Sequence, residues 1–405
     1  MNSSIFRGRW TLSTLALLLA ACGGGGGGIG GTGAPLGSMR VSLTDAPSCG
    51  YDAVYVTVEK VRVNQNASAG DDDGGWTEIV LNPAKRIDLL SLTNGVLEEL
   101  GETQLPAGTY TQLRLVLGSN GTTPPFANAV VPSGTGAEVA LDTPSAQQSG
   151  LKLNTQLSVP ADKVADVVLD FDACKSVVKR GNSGRYNLKP VISVTSVLSD
   201  AGLRIVGWIA PAIAASAPSV SVQASGVPVK ATVPDATSGR FVLYPVPVGT
   251  YDLVIGASGR VTSVMTGVPV VDSAYTYVNN QALPMLPAAA ASAARAVSGA
   301  VAPPAAAASA TVRALQTFTG GPTIEAAFAP VDADTGAFLF TLPVDAPQRA
   351  PYSGMPGSQP AGAVTFTADF PRAGLYTVQA SDSGVTKSQD IDAKAAVPPL
   401  SFVFP

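Results

Sequence analysis

The chain of 405 residues has no histidine at all. That absence excludes Ser-His-Asp and Cys-His nucleophilic sites, imidazole-ligated zinc, and the commonest general base. Charge is sparse as well: only 13% of residues are Asp, Glu, Lys or Arg, against 42 glycines and 32 prolines. Such a composition suits short strands joined by many turns and argues against long surface helices. There is no basic excess, since the net charge is −4, and nucleic-acid binding needs basic patches. No apolar run reaches the roughly 20 residues that a spanning helix requires. Cysteine is nearly absent too, with three residues, Cys22, Cys49 and Cys174.

What is present begins at the N-terminus. Arg7 and Arg9 precede an apolar stretch from Trp10 to Ala21, the charged and oily regions of an export signal. The stretch ends Leu19-Ala20-Ala21-Cys22, which resembles the bacterial lipobox. That resemblance implies cleavage after residue 21, diacylation of Cys22, and anchoring in the membrane through lipid. With Gly23 as second mature residue, it further implies sorting to the outer membrane. Loss of residues 1–21 removes two arginines and no acids, so 25 cations fall to 23 against 29 anions, a net of −6. Residues 22–38 then read as a Gly-rich flexible tether.

From 39 to 200 the pattern is alternation, expected to give half-buried strands. Met39, Val41 and Leu43 share one face, as do Val54, Val56 and Val58, and Leu113, Leu115 and Leu117. Val61 and Val63 fall on the opposite parity from Val54–Val58, so a bulge near Glu59-Lys60 is expected. Further strands are predicted over Leu151–Val159, Val164–Asp172 and Tyr186–Leu198, while "IDLLSLTNGVLEEL" is ambiguous between a short helix and a strand pair. The motifs "VSLTDAPSCGYDAVYVTVEKVRV", "TEIVL" after Trp76, "IDLLSL", "LPAGTYTQLRLVLG" and "LKPVISV", in that order, resemble the domain of unknown function 4382 of bacterial lipoproteins. The resemblance implies a surface or periplasmic β-sandwich-like domain and implies no activity.

The C-terminal half repeats. "IVGWIAP" (205–211) matches "AVSGAVAP" (296–303), "SVSVQA" (219–224) matches "SATVRA" (309–314), "DATSGRFVLYPVP" (235–247) matches "DADTGAFLFTLPV" (332–344), and "GTYDLVIGASG" (249–259) matches "GLYTVQASDSG" (374–384). Four blocks in one order make a duplicated unit. The offset grows from 92 to 97 and then to 125, which places a Pro/Gly-rich, turn-forming insertion near 345–363 of the second copy. The shared rhythm resembles the carboxypeptidase-regulatory, prealbumin-like sandwich, grouped with carbohydrate-binding-like folds. In it Asp and Gly make a hairpin turn, Phe241 or Phe338 enters the core, and Tyr251 or Tyr376 lies on a late strand. The expected organisation is all-β: a signal peptide (1–21), a tether (22–38), and three tandem sandwich-like domains at 39–200, 202–284 and 295–405, with an Ala/Pro linker at 285–294.

Candidate sites are few. Asp71–Asp73 could ligate calcium, but a calcium loop wants alternating ligands and a distant bidentate Glu; a solvated loop is the plainer reading. The 332–336 stretch "DADTG" also looks like a metal loop, yet its repeat partner "DATSG" lacks the second Asp, so a turn is the shared feature. Asp45 is either functional or an Asx-turn residue before Pro47. Trp76 and Trp208 are candidate stacking platforms for sugar, with core burial the alternative for Trp208. No metal or cofactor is expected. With Cys22 lipidated, Cys49 and Cys174 form the one intramolecular pair open to an exported chain. The expected function is non-enzymatic: a lipid-anchored envelope protein that binds or scaffolds, with polysaccharide or envelope proteins as partners and carbohydrate favoured by fold analogy alone. A structural spacer or adhesion stalk and a carboxylate-only glycosidase are the alternatives.

Overall fold

The computed structural model describes residues 34–45, 50–143, 149–197, 201–287 and 294–405. Cys22, the signal and most of the tether, Pro47 and Cys49, and residues 288–293 of the linker lie outside the described residues.

Pro35–Pro405 forms one compact all-β unit with three main hydrophobic cores. In the first domain the strand Leu36–Asp45 buries Met39, Val41 and Leu43, as the alternation requires, and begins before residue 39. It pairs parallel with Val164–Phe171 and antiparallel with Glu98–Pro106, and Ile192–Val197 completes a four-stranded sheet. The facing eight-stranded sheet is centred on Tyr51–Asn64, whose register shifts between Val58 and Lys60, so the expected bulge is present.

Three local expectations need correction. The strand Gly108–Leu117 is buried on both faces rather than one, because the loop 66–74 covers its polar side: Gln112 Nε2 donates to Ala67 O (2.8 Å) and Arg114 to Ala69 O (2.7 Å). The 186–198 strand is two strands, Arg185–Leu188 and Ile192–Val197, in different sheets, since the segment holding Pro190 cannot continue the ladder. The ambiguous segment resolves as the end of strand Thr77–Asp88, a 3-10 turn at Leu89–Ser91 capped by Asp88, and the start of Glu98–Pro106.

The duplicated unit appears twice as the same sandwich. The middle domain packs a three-stranded sheet (Arg240–Leu243, Ile205–Trp208, Thr276–Tyr277) on a sheet ordered Val227–Thr232, Ser219–Ala224, Gly249–Gly256, Ser263–Val270. The third domain repeats both orders with Ala337–Pro343, Ala294–Ala302, Leu400–Val403 and with Thr323–Ala329, Thr311–Thr317, Leu375–Asp382, Val385–Asp392. The repeated residues have a packing reason. Gly207 lies opposite Phe241 and Gly299 opposite Phe338, and a Cβ on either glycine would fall 2.4 or 2.3 Å from the ring. Asp235 and Asp332 each accept two backbone N–H bonds within the turn that follows, which ends at Gly239 or Gly336 with φ of +69° or +71°. Tyr251 and Tyr376 donate their hydroxyls to Pro247 O and Pro343 O. Tyr110 of the first domain does the same to Pro106 O, where "PAGTY" matches "PVGTY" of the middle domain.

The insertion is not merely turn-forming. Its strand Gln348–Pro351 leaves the third domain and adds, in parallel, to Ser263–Val270 of the middle domain, with Thr367–Ala368 beyond it. Val254, Val264, Phe318 and Ile324 form a small fourth core at that junction. The remaining contacts close a triangle. Asn94 of the first domain donates from its backbone to Thr232 Oγ1 (2.8 Å) and accepts from Val242 N (3.0 Å) of the middle domain. Asp332 Oδ2 of the third domain accepts from Gly181 N (2.7 Å) of the first.

Candidate functional site

A cleft of about 440 Å³ opens where the three domains meet, lined by residues of each. The first domain supplies Asp170 and Asp172 from the end of Val164–Phe171 and Lys175 from the helix Ala173–Ser176. The middle domain supplies Ser219, Ser221 and Lys230, and the third supplies Glu325 and Phe328. Alternation explains the set: Asp170 and Asp172 are two apart, so both leave the same face, and Ser193 is the cross-strand partner of Asp170.

Two of the ion pairs, Lys230–Asp170 and Lys175–Glu325, cross domain boundaries. Lys230 Nζ meets Asp170 Oδ1 at 2.5 Å, with side-chain exposures of 3% and 13%. Lys175 Nζ lies 3.5 Å from Asp172 Oδ2 and 3.4 Å from Glu325 Oε1, one ammonium shared by two carboxylates. Glu325 also has Arg313 at 3.7 Å. Burial pushes both the Asp172 and Glu325 carboxyls above the ordinary carboxylate range, with Lys175 the largest opposing influence on each. Tyr51, on the cleft wall, is pushed up to about 12 by burial and by Tyr186 beside it. Gln223 binds the backbone of Glu325 at both N–H (2.8 Å) and C=O (2.9 Å), occupying the edge of strand Thr323–Ala329 at that residue.

The expected site residues lie elsewhere. Trp76 is half-buried; Arg62 and Arg114 guanidinium carbons sit 4.5 and 4.8 Å from its ring centroid, and Nε1 donates to Gly70 O. Its ring is engaged by the chain's own cations. Trp208 is in the middle core at 7% exposure, its backbone tied to the Asn279 amide, so core burial is the correct reading. The Asp71–Asp73 loop is folded onto the sheet by an Asp71–Arg114 ion pair, and Asp73 accepts from Gly70 N (2.8 Å). Among the described residues no three His, Cys, Asp or Glu side chains are grouped to hold a metal ion. The 332–336 stretch is a turn that docks on the first domain, Ala333 N donating to Lys179 O (3.1 Å). Asp45 is buried, and its Oδ1 accepts from Ala173 N (2.9 Å), fixing the start of the helix that carries Cys174 and Lys175. Cys174 lines the cleft; its pairing with Cys49 stays an expectation, since residue 49 is outside the described residues. The cleft itself was missed by sequence reasoning. Its signal was the isolated Lys230 in "VPVKATV" and the Asp170/Asp172 pair in "VVLDFDA", charges stranded in apolar strands.

No curated protein matches the chain. Among solved structures, a streptococcal ancillary pilin is similar at 12% identity, covering 91% of this chain and 98% of that one with a TM-score of 0.14. BcpA, the major pilin subunit of Bacillus cereus, is similar at 10% identity, covering 91% and 99% with a TM-score of 0.12. A family model, described as "Domain of unknown function (DUF4382)", matches residues 36–190, most of the first domain.

Proposed function

We propose that this chain is an exported, lipid-anchored envelope protein without enzymatic activity, whose three sandwiches form one scaffold that binds a ligand, with carbohydrate the favoured class. The observation that carries the reading is the three-domain cleft. In a spacer or stalk, domains need only touch end to end; here each domain contacts both others, and the point of closure is a hollow whose largely apolar wall holds interdomain ion pairs. Lipidation at Cys22, outer-membrane sorting and a Cys49–Cys174 bridge complete the proposal, supported by the Leu19–Cys22 motif and by the two cysteines left once Cys22 is modified.

The test is retention of the soluble Cys22→Ser chain on a panel of insoluble polysaccharides and on envelope fractions. Retention on at least one glycan is expected. Retention on none of them removes carbohydrate from the reading, and failure of the native chain to partition into detergent removes the anchor. A carboxylate-only glycosidase is the second reading, favoured by two carboxyls of raised pKa in one cleft. Lys175 lies between them and engages both, which counts against it. Release of reducing sugar from a glycan panel would reverse the order of the two.

A further inference from the structure

The cleft's chemistry narrows its occupant. Among the described lining residues carboxylates outnumber ammonium groups three to two (Asp170, Asp172 and Glu325 against Lys175 and Lys230), and the nearby Arg313 guanidinium is engaged with Glu325 and Gln379 rather than lining the cleft. Phosphate-bearing ligands want guanidinium groups or a helix N-terminus. An apolar ligand would cover these ion pairs without offering them hydrogen bonds, which is costly. An extended peptide would pair with a strand edge; the edge at Glu325 is taken by the Gln223 amide, and the edge strands Ile192–Val197 and Val227–Thr232 contribute Ser193 and Lys230 to the cleft lining. The lining of carboxylates, ammonium groups, hydroxyls and Phe328 suits a ligand that both donates and accepts around its rim and has apolar ring faces.

We propose that the cleft is a saccharide site that takes a mono- or disaccharide end, with the carboxylate–ammonium pairs bonding ring hydroxyls and Phe328 forming an apolar wall. The proposal rests on the binding reading above and gives it a place and a ligand class. Each hydroxyl of a sugar is one donor and two acceptors. The cleft matches that duality: carboxylate oxygens of Asp172 and Glu325 accept, Lys175 donates, and the hydroxyls of Ser193, Ser219 and Ser221 do both. Phe328 is half-buried and lies 5.4 Å from Lys175 Nζ, placing an apolar ring beside the charged floor. The volume of about 440 Å³ falls within the range of roughly 300–1,000 Å³ for small-molecule pockets. Because its walls belong to three domains, the site exists only in the closed arrangement.

The experiment is saturation-transfer NMR of the soluble Cys22→Ser chain with glucose, N-acetylglucosamine, maltose and cellobiose. At least one sugar is expected to receive saturation. Two variants locate it: Ser193→Trp fills the cleft from an exposed strand position without removing an internal partner, and Phe328→Ala removes the wall. Each should weaken binding at least tenfold, while Trp76→Ala leaves it unchanged; melting curves establish that the variants are folded. Binding that persists in both cleft variants overturns the site while leaving carbohydrate binding intact. Binding abolished by Trp76→Ala alone moves the site to the first domain. If none of the four sugars binds but a polysaccharide retains the chain, the cleft proposal falls and the wider reading stands.

Discussion

Replacing Lys175 with methionine removes one ammonium and keeps most of the side chain's length, which isolates what that charge does for the closed triangle. Its Nζ is shared between Asp172 and Glu325 at 3.5 and 3.4 Å. Both carboxyls have folded-state pKa values raised by burial. A carboxyl with a raised folded value binds more protons in the native state. Its contribution is therefore fully present below the unfolded value, about 4, and is lost as pH rises through the folded value. Without Lys175 both folded values rise further, so the loss at neutral pH deepens.

Breaking a fully buried pair costs about 3–5 kcal/mol. Lys175 keeps 19% side-chain exposure and Glu325 retains Arg313 at 3.7 Å, which reduces the expectation to about 2 kcal/mol near pH 7. Near pH 3 the carboxyls are protonated in both states, and the variant should differ from the parent only by the lost contact with Phe328, on the order of 0.5 kcal/mol. Urea unfolding followed by tryptophan fluorescence reports the transition, since Trp208 sits in the middle core. A destabilisation equal at the two pH values would refute the electrostatic argument and leave Lys175 as packing alone.

Three further outcomes follow from the geometry. Replacing Gln348–Pro351 with a Gly/Ser segment of equal length should expose the edge of Ser263–Val270 and raise hydrogen exchange there; unchanged protection would mean the added strand does not hold the domains together. Lys189, lowered to about 8 by burial, donates to Ala310 O across the first and third domains (2.9 Å). Its native state binds fewer protons than the unfolded state between about pH 8 and 10.5, so stability should rise with pH in that window, and Lys189→Met should abolish the rise. Thiol labelling of the denatured, unreduced soluble Cys22→Ser chain should count no free sulfhydryl, with reduction costing on the order of 4–5 kcal/mol of stability by loop closure; two free thiols would exclude the Cys49–Cys174 bridge.

What the sequence made legible is what neighbours in the chain decide. The aspartate that closes its own turn and the phenylalanine that follows it are set within a few residues, so the repeated blocks holding Asp235, Gly239 and Phe241 made the duplicated unit legible, while the place of Gly207 opposite Phe241 rests on a strand pairing. The offset jump located the insertion but not its destination, because nothing local to Gln348–Pro351 specifies an edge on another domain. The surroundings of Trp76 were hidden for the same reason. Its glycine-rich flank reads as exposed, whereas the two guanidinium groups on its ring arrive from Arg62 and Arg114 on separate strands. The cleft lay between these cases. Asp170 and Lys230 are 60 residues apart and in different domains, so no spacing rule joins them. Yet Lys230 is the one charge in its strand and Asp170 stands among Val167, Val168, Leu169 and Phe171, and a buried charge without a partner is too costly to keep. Two such charges of opposite sign, neither explained within its own domain, point toward each other, and they mark where the domains close.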